Sequence, residues 1–365
     1  MDFELDDEQS ALKEVTRDVL ARYAGPDAAR AIVDGAAEPA ADLRAAGAEV
    51  GWLALAVPEE QDGLGCGLVE LAIVAEELGR ALAPWPFAET ALVARALARS
   101  REPGVADILA ALVSGQELAA FAVAEPGRGF SPADAAAVAR QGGEGLVVSG
   151  EKTAVESAAA VDWLAVAATA PEERAILLVR RDDPRVAVEA ERGLDATRPR
   201  FRVVLDDAPV QATLARGADA DELVDAAALM TSADALGAAD TLLSRTVDYV
   251  KVREQFGRPI GSFQAVKHAA ADMLRRVRGA RAAISYAAMA SDAGAPEARR
   301  ATAVANAYAS AEFGRVAGQA LQLHGGIGFT WEHDLHLYLR RVKADEILYG
   351  DGAVHREKVL ATHRV

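Results

Sequence analysis

The sequence predicts an α+β fold: an N-terminal α-helical domain over residues 1–116, a middle antiparallel β domain over 117–214, and a C-terminal four-helix bundle over 215–365. Three observations predict it. Apolar residues recur at helical spacing on both flanks. Between them, short Val/Ala/Leu runs alternate with Gly, Pro and Asp clusters, the pattern of strands and turns. The 365 residues are 51% hydrophobic but only 5% aromatic, which suits closely packed alanine-rich helices, alanine having the best helix propensity.

Glu8, Gln9, Leu12 and Val15 begin the first helical pattern, with Asp6 or Asp7 placed to cap it. The loop GWLALAVPEEQDGLG (Gly51–Gly65) leads into LVELAIVAEELGRAL (Leu68–Leu82), a helix that Pro84 and Pro86 are expected to stop. The runs LAAFAVA, GLVVSG, WLAVAA, AILLVR and FRVVL read as strands of an antiparallel sheet or small barrel. Helical periodicity returns from about Asp221 to the end, in segments long enough for a four-helix bundle.

A net charge of −16 argues against a nucleic-acid partner, whose phosphates would repel it. No apolar run reaches the roughly 18–20 residues of a membrane span. The N-terminus, MDFELDDEQSALKE, is acidic and amphipathic, unlike a signal or transit peptide. Cys66, the single cysteine, reads as a small loop residue in GLGCGL. A soluble, reducing, cytoplasmic setting is expected.

Two segments carry chemistry. In VREQFGRPIGSFQAVKH (Val252–His268), Arg253 and Arg258 offer cationic forks suited to a pyrophosphate. Phe256 supplies an apolar plate, and Gln264 a polar contact beyond the turn. The same residues also suit a helix hairpin with solvated arginines. In QLHGGIGFTWEHDLHLYLRR (Gln322–Arg341), Gly325, Gly326 and Gly328 let backbone approach a ligand and expose N–H donors. His333, Asp334 and His336 fit a loop-to-helix capping cluster better than a metal site.

These two segments, in this order, resemble the FAD-binding signatures in the helical C-terminal domain of acyl-CoA dehydrogenases, and the α–β–α order resembles that family's layout. The resemblance implies FAD, with Arg253, Phe256 and Gln264 at its diphosphate and adenosine. Gln322, Gly325 and Gly326 would then touch the FAD of a neighbouring subunit. Ala122–Gly127 resembles the family's strand-and-turn TEPxAGSD and brings Glu125 into the cofactor-binding set. Two departures stand out: Arg128-Gly129-Phe130 lacks the Ser-Asp pair, and Ala154 and Glu156 replace the Trp and Thr that follow the lysine.

Dehydrogenation of a thioester needs a carboxylate to take the α-proton while hydride leaves for the flavin. At the family's usual Tyr-Glu-Gly position this chain has Tyr349 and Gly350, and tyrosine, with an ordinary pKa of about 10, is a poor base. A two-residue shift would recruit Asp351. The resemblance still gives the Tyr349 backbone N–H the thioester carbonyl as acceptor. A minority of the family draws its base from the first long C-terminal helix, where Asp234 lies among small or apolar neighbours, Gly237 included. Asp234 is therefore the candidate base, and Ala227 and Gly237 leave room for a bulky acyl group.

VPEEQDGLG and EELGRALAPWPF resemble subunits of the heterotetrameric branch that acts on steroid side-chain CoA thioesters. The resemblance implies an acyl-CoA substrate, an electron-transfer flavoprotein as acceptor, and a homo- or heterotetramer with a related chain. The alternatives are a self-sufficient dehydrogenase using Asp234, a non-catalytic partner completing a related chain's flavin site, or a fold relative doing non-redox chemistry.

Overall fold

The computed structural model describes residues 3–35, 41–100, 102, 104–143, 145–171 and 173–363. The N-terminal helices are α1 (Asp7–Tyr23), α2 (Pro26–Val33), α3 (Ala41–Glu49), α4 (Leu68–Arg80), α5 (Phe87–Ala98) and α6 (Val105–Val113). Asp6 caps α1: its carboxylate accepts from Gln9 N at 2.8 Å, and the Gln9 side chain accepts from Asp6 N, which makes a capping box. Helix α4 ends at Arg80, before the two prolines. Leu82 turns left-handed (φ 53°) and Ala83 N–H bonds back to Leu78 O at 2.9 Å, the reach of a Schellman-type stop. Pro86 serves instead as the N-cap of α5.

The strands are β1 (Ala119–Ala122), β2 (Val138–Gln141), β3 (Leu146–Glu156), β4 (Trp163–Thr169), β5 (Arg174–Arg180), β6 (Val186–Glu191) and β7 (Arg200–Arg216). Antiparallel pairing runs β4–β5–β7–β3–β2, and Val138 of β2 pairs back on Thr169 of β4, which closes the sheet on itself. Two pairings depart from the antiparallel expectation: the single β2–β4 bridge is parallel, and β1 lies parallel to β4. The β2–β3 hairpin intervenes between them, giving the long crossover that parallel neighbours need.

The C-terminal elements are α7 (Gly217–Val252), the short strands β8 (Glu254–Gln255) and β9 (Arg258–Pro259), α8 (Gln264–Asp292), α9 (Ala298–His324), α10 (Leu335–Asp345) and α11 (Gly352–His363). Among the described residues, no helix is long and apolar enough to cross a membrane.

Two compact units result. Met1–Ala37, Ala72–Ala83 and Leu229–Val365 make one; Glu38–Leu71 and Pro84–Ala228 make the other. In the first, α4 inserts against α7 through glycines. A Cβ on Gly79 would stand 1.9 Å from Asp234 O, and one on Gly237 would stand 1.8 Å from Glu76 O. Gly237 thus serves backbone packing within this unit. Charge surrounds the contact: Arg17 holds Glu77 at 2.9 Å, Arg80 holds Glu77 at 2.9 Å and Asp240 at 2.7 Å, and Arg281 reaches Glu76. Buried carboxylates survive only when paired in this way. Because backbone meets backbone, Gly79→Ala or Gly237→Ala should destabilise the fold by about 1–3 kcal/mol, toward the upper end. Denaturant unfolding of each variant measures this, and a change near zero would mean that the helices part freely.

Candidate functional site

The first signature folds as a tight hairpin between α7 and α8. Gln255 pairs with Arg258 and Glu254 with Pro259. Phe256 (φ 55°) and Gly257 (φ 76°) are both left-handed, as a two-residue type I′ turn requires. A bulky side chain there carries strain of about 1–3 kcal/mol, a feature that gathers at functional sites. Phe256 is 90% exposed, its ring edge-on to Phe263, and Phe263 also carries the Arg258 guanidinium at 4.2 Å. Arg253 leaves the end of α7 and Gln264 opens α8; both are exposed. Arg253 thus precedes the hairpin, Phe256 sits at its turn, and Gln264 lies beyond the following 3₁₀ turn, Ile260–Ser262.

The second signature is the end of α9 followed by a short 3₁₀ turn, Gly325–Phe329. Gly325 has φ 61°, and a Cβ on Gly325 or Gly326 would meet nothing within 4 Å. Gly328 instead faces inward, against His324, Leu321 and Leu335. Gln322, Gly325 and Gly326 are exposed. Behind this turn His324 is buried, its Nδ1 2.8 Å from Ala320 O and its ring stacked on Tyr249 at 4.4 Å. His333 meets His324 edge-on at 5.1 Å and accepts the Leu335 N–H at Nδ1, 3.1 Å. So His333, not Asp334, caps the N-terminus of α10. Asp334 instead pairs with Arg30 at 2.8 Å and Arg245 at 3.0 Å.

Asp234 lies on α7 and is buried, but its carboxylate is engaged. Arg341 Nε donates to Oδ1 and Nη2 to Oδ2, each at 2.8 Å, and Nη2 also reaches Ala83 O at 2.9 Å. A carboxylate gripped through both oxygens by a guanidinium is a reluctant proton acceptor. Arg341, 1% exposed, escapes the sequence reading, yet it falls three and four residues from Tyr338 and Leu337 on the buried face of α10. A charge on an apolar stripe is the signal that could have found it. Tyr349 follows α10 in a left-handed turn, φ 59°, with Gly350 at φ 117°. Asp351 Oδ1 accepts the N–H groups of Ala353 and Val354 at 2.9 Å and so caps α11.

In the other unit, Glu125 is also committed. Lys152 Nζ lies 2.6 Å from it, and it accepts the backbone N–H groups of Ala136 (2.7 Å) and Ala137 (2.9 Å). Burial pushes the Lys152 ammonium below its ordinary pKa, against the pull of Glu125. At the departure from the family pattern, Glu191 takes the Thr153 hydroxyl at 2.7 Å and the Ala154 N–H at 2.8 Å. Glu156 is held by Arg200 at 3.2 Å and Arg198 at 3.5 Å. FAD fits the helical signatures, where exposed side chains and open glycine backbone remain to receive it. It fits the 152–156 segment poorly, because the polar groups there are consumed internally.

Residues 218–362 match the family described as acyl-CoA dehydrogenase, C-terminal domain, and residues 6–115 its N-terminal domain. The chain is 34% identical over 338 residues to the acyl-CoA dehydrogenase IpdE2 of Mycobacterium tuberculosis, covering 92% of this chain and 91% of that one. Among solved structures it is similar to a variant of the Tcur3481-Tcur3483 steroid ACAD, with TM-score 0.90, 29% identity, and 98% of each chain covered. It is also similar to the ChsE4-ChsE5 complex from Mycobacterium tuberculosis, with TM-score 0.89 and 28% identity over 99% of this chain and 98% of that one.

Burial holds the His324 and His333 rings below their ordinary pKa, and Arg245 pushes both further down, against the Ala320 carbonyl at His324 and Asp334 at His333. The folded chain then binds fewer protons than the unfolded one below about pH 6.5. The stability these rings contribute is present above that pH and lost as pH falls through about 6.5 toward their lowered values. The thermal midpoint should stay flat near pH 7–8 and fall between about pH 6.5 and 5, above the window in which unfolded carboxylates near pKa 4 titrate. His333→Asn should flatten that fall, and an identical slope in the variant would remove His333 from the account.

Proposed function

The chain belongs to the acyl-CoA dehydrogenase family of FAD-dependent oxidoreductases, and from that premise we propose that it is one subunit of an assembly that oxidises an acyl-CoA thioester, completing a flavin site while a related partner chain supplies the proton-accepting carboxylate. The observation that carries this reading is the Asp234–Arg341 pair. Both oxygens of the candidate base are bound by one guanidinium, and Asp351 is spent as a helix cap. The closed polar contacts around Ala154 and Glu156 point the same way.

FAD, held by the two signatures, would supply the hydride acceptor for the β-hydrogen, and a carboxylate would take the α-proton as the α,β double bond forms. This chain's part is to bind and orient. Arg253 and Arg258 neutralise pyrophosphate charge, Phe256 presents an apolar surface, and Gly325 and Gly326 admit close backbone approach. Similarity to the Tcur3481-Tcur3483 steroid ACAD and to the ChsE4-ChsE5 complex supports a heterotetramer and a bulky ring-derived acyl group. An electron-transfer flavoprotein is the proposed electron acceptor.

The second reading is a self-sufficient enzyme in which Asp234 is the base, favoured by its burial among small residues; it requires release from Arg341. The two separate cleanly. As half of a buried ion pair, Asp234→Asn or Arg341→Met should cost roughly 3–5 kcal/mol in unfolding free energy, with Asp234→Leu/Arg341→Met together restoring much of it. As a base, Asp234→Asn should instead leave stability intact and abolish thioester-dependent flavin bleaching. Purified alone, the chain should carry little flavin, and co-expression with a related chain should load it. A fully loaded, thioester-reducible homotetramer would overturn the proposal.

A further inference from the structure

We infer that Arg30, a residue of the N-terminal helix α2, is a positioning residue for the glycine turn of the second signature. The inference rests on the reading that this turn contacts flavin in the assembly. Arg30 lies far from the loop in the chain, with Trp331 301 residues away, yet all three of its guanidinium nitrogens serve it. Nη1 donates to Trp331 O at 2.8 Å, Nη2 to Glu332 O at 2.9 Å, and Nε to Asp334 Oδ1 at 2.8 Å. Arg245 of α7 holds the other Asp334 oxygen at 3.0 Å.

The loop needs such a clamp. Between the end of α9 and the start of α10 its local backbone support includes Thr330 N–H to Ile327 O and His333 N–H to Thr330 O, whereas exposed Gly325 and Gly326 have no side chain to anchor them. A guanidinium is a rigid planar fork, so three simultaneous bonds fix both the position and the orientation of 331–334. Phe329, 75% exposed, and Trp331 sit on the solvent side of the same loop. Holding 331–334 still holds the adjoining glycine backbone still, and a site misplaced by a fraction of an ångström binds less well. Lysine, a point charge on a flexible stem, could serve only part of this set.

The test uses the full chain and the flavin-loaded assembly with its partner chain, comparing wild type, Arg30→Met, Arg30→Lys and Asp334→Asn. Hydrogen exchange of residues 325–334 reads loop order, and titration of FAD into flavin-stripped assembly reads affinity. Arg30→Met should deprotect 325–334 and weaken FAD about tenfold, the scale seen when an outer partner that orients a ligand-binding group is removed. Arg30→Lys should recover part of both, and Asp334→Asn should have the smaller effect because the two carbonyl bonds remain. Unchanged exchange in 325–334 in Arg30→Met would overturn the positioning role. A deprotected loop with unchanged FAD affinity would keep that role but sink the reading of the loop as a flavin contact. Should Arg30→Met fail to fold, the graded comparison of Arg30→Lys with Asp334→Asn decides alone.

Discussion

A single buried guanidinium ties together the elements around the candidate chemistry. Arg341 joins α10 to Asp234 of α7 and to the Ala83 carbonyl beyond α4. Tyr338, one turn earlier, gives its hydroxyl to Arg80 O at 3.2 Å. The Arg80 carbonyl at the end of α4, which a helix end leaves unpaired, and the Ala83 carbonyl beyond it thus become acceptors for α10. The Gly79 and Gly237 approaches exist because this arrangement brings backbone to backbone. Removing the charge from either partner would strand the other in a medium that tolerates no lone ion.

Against this closed interior stand surfaces left open. The hairpin at Phe256 and the turn at Gly325–Phe329 present strained or uncovered backbone to solvent. The 152–156 segment does the reverse, pairing its hydroxyl, amide and carboxylate with Glu191, Arg198 and Arg200. Polar groups already satisfied within a fold gain little from a ligand, while an exposed cation such as Arg253 can gain much. The two signatures thus stay open where the 152–156 segment is closed.

Local patterns were legible in the sequence. Helical periodicity, the Asp6 cap and the Val-rich strands are short-range, and the two signatures are contiguous in the chain. What escaped was long-range pairing. Nothing near Asp234 announces Arg341, and nothing near Asp334 announces Arg30. The end of α4 was hidden for a local reason: Leu82 adopts a left-handed stop that its side chain does not favour. Gly237 suggested room for a substrate, and a neighbouring carbonyl fills that room. Phe256 was legible as an exposed apolar plate but not as a strained turn residue, because the strain resides in the backbone.

The interleaving of the two compact units bears on how the chain is made. Residues 38–71 and 84–228 form a unit nested inside the other in chain order, so its parts can meet while translation continues. Arg17 meets Glu77 of α4 soon after it emerges, but Arg30 emerges 304 residues before its partner Asp334. At about 5–20 residues per second, Arg30 of α2 waits many seconds without Asp334. During that interval α2 is available to chaperones, and its guanidinium finds its place only once the loop before α10 has been made.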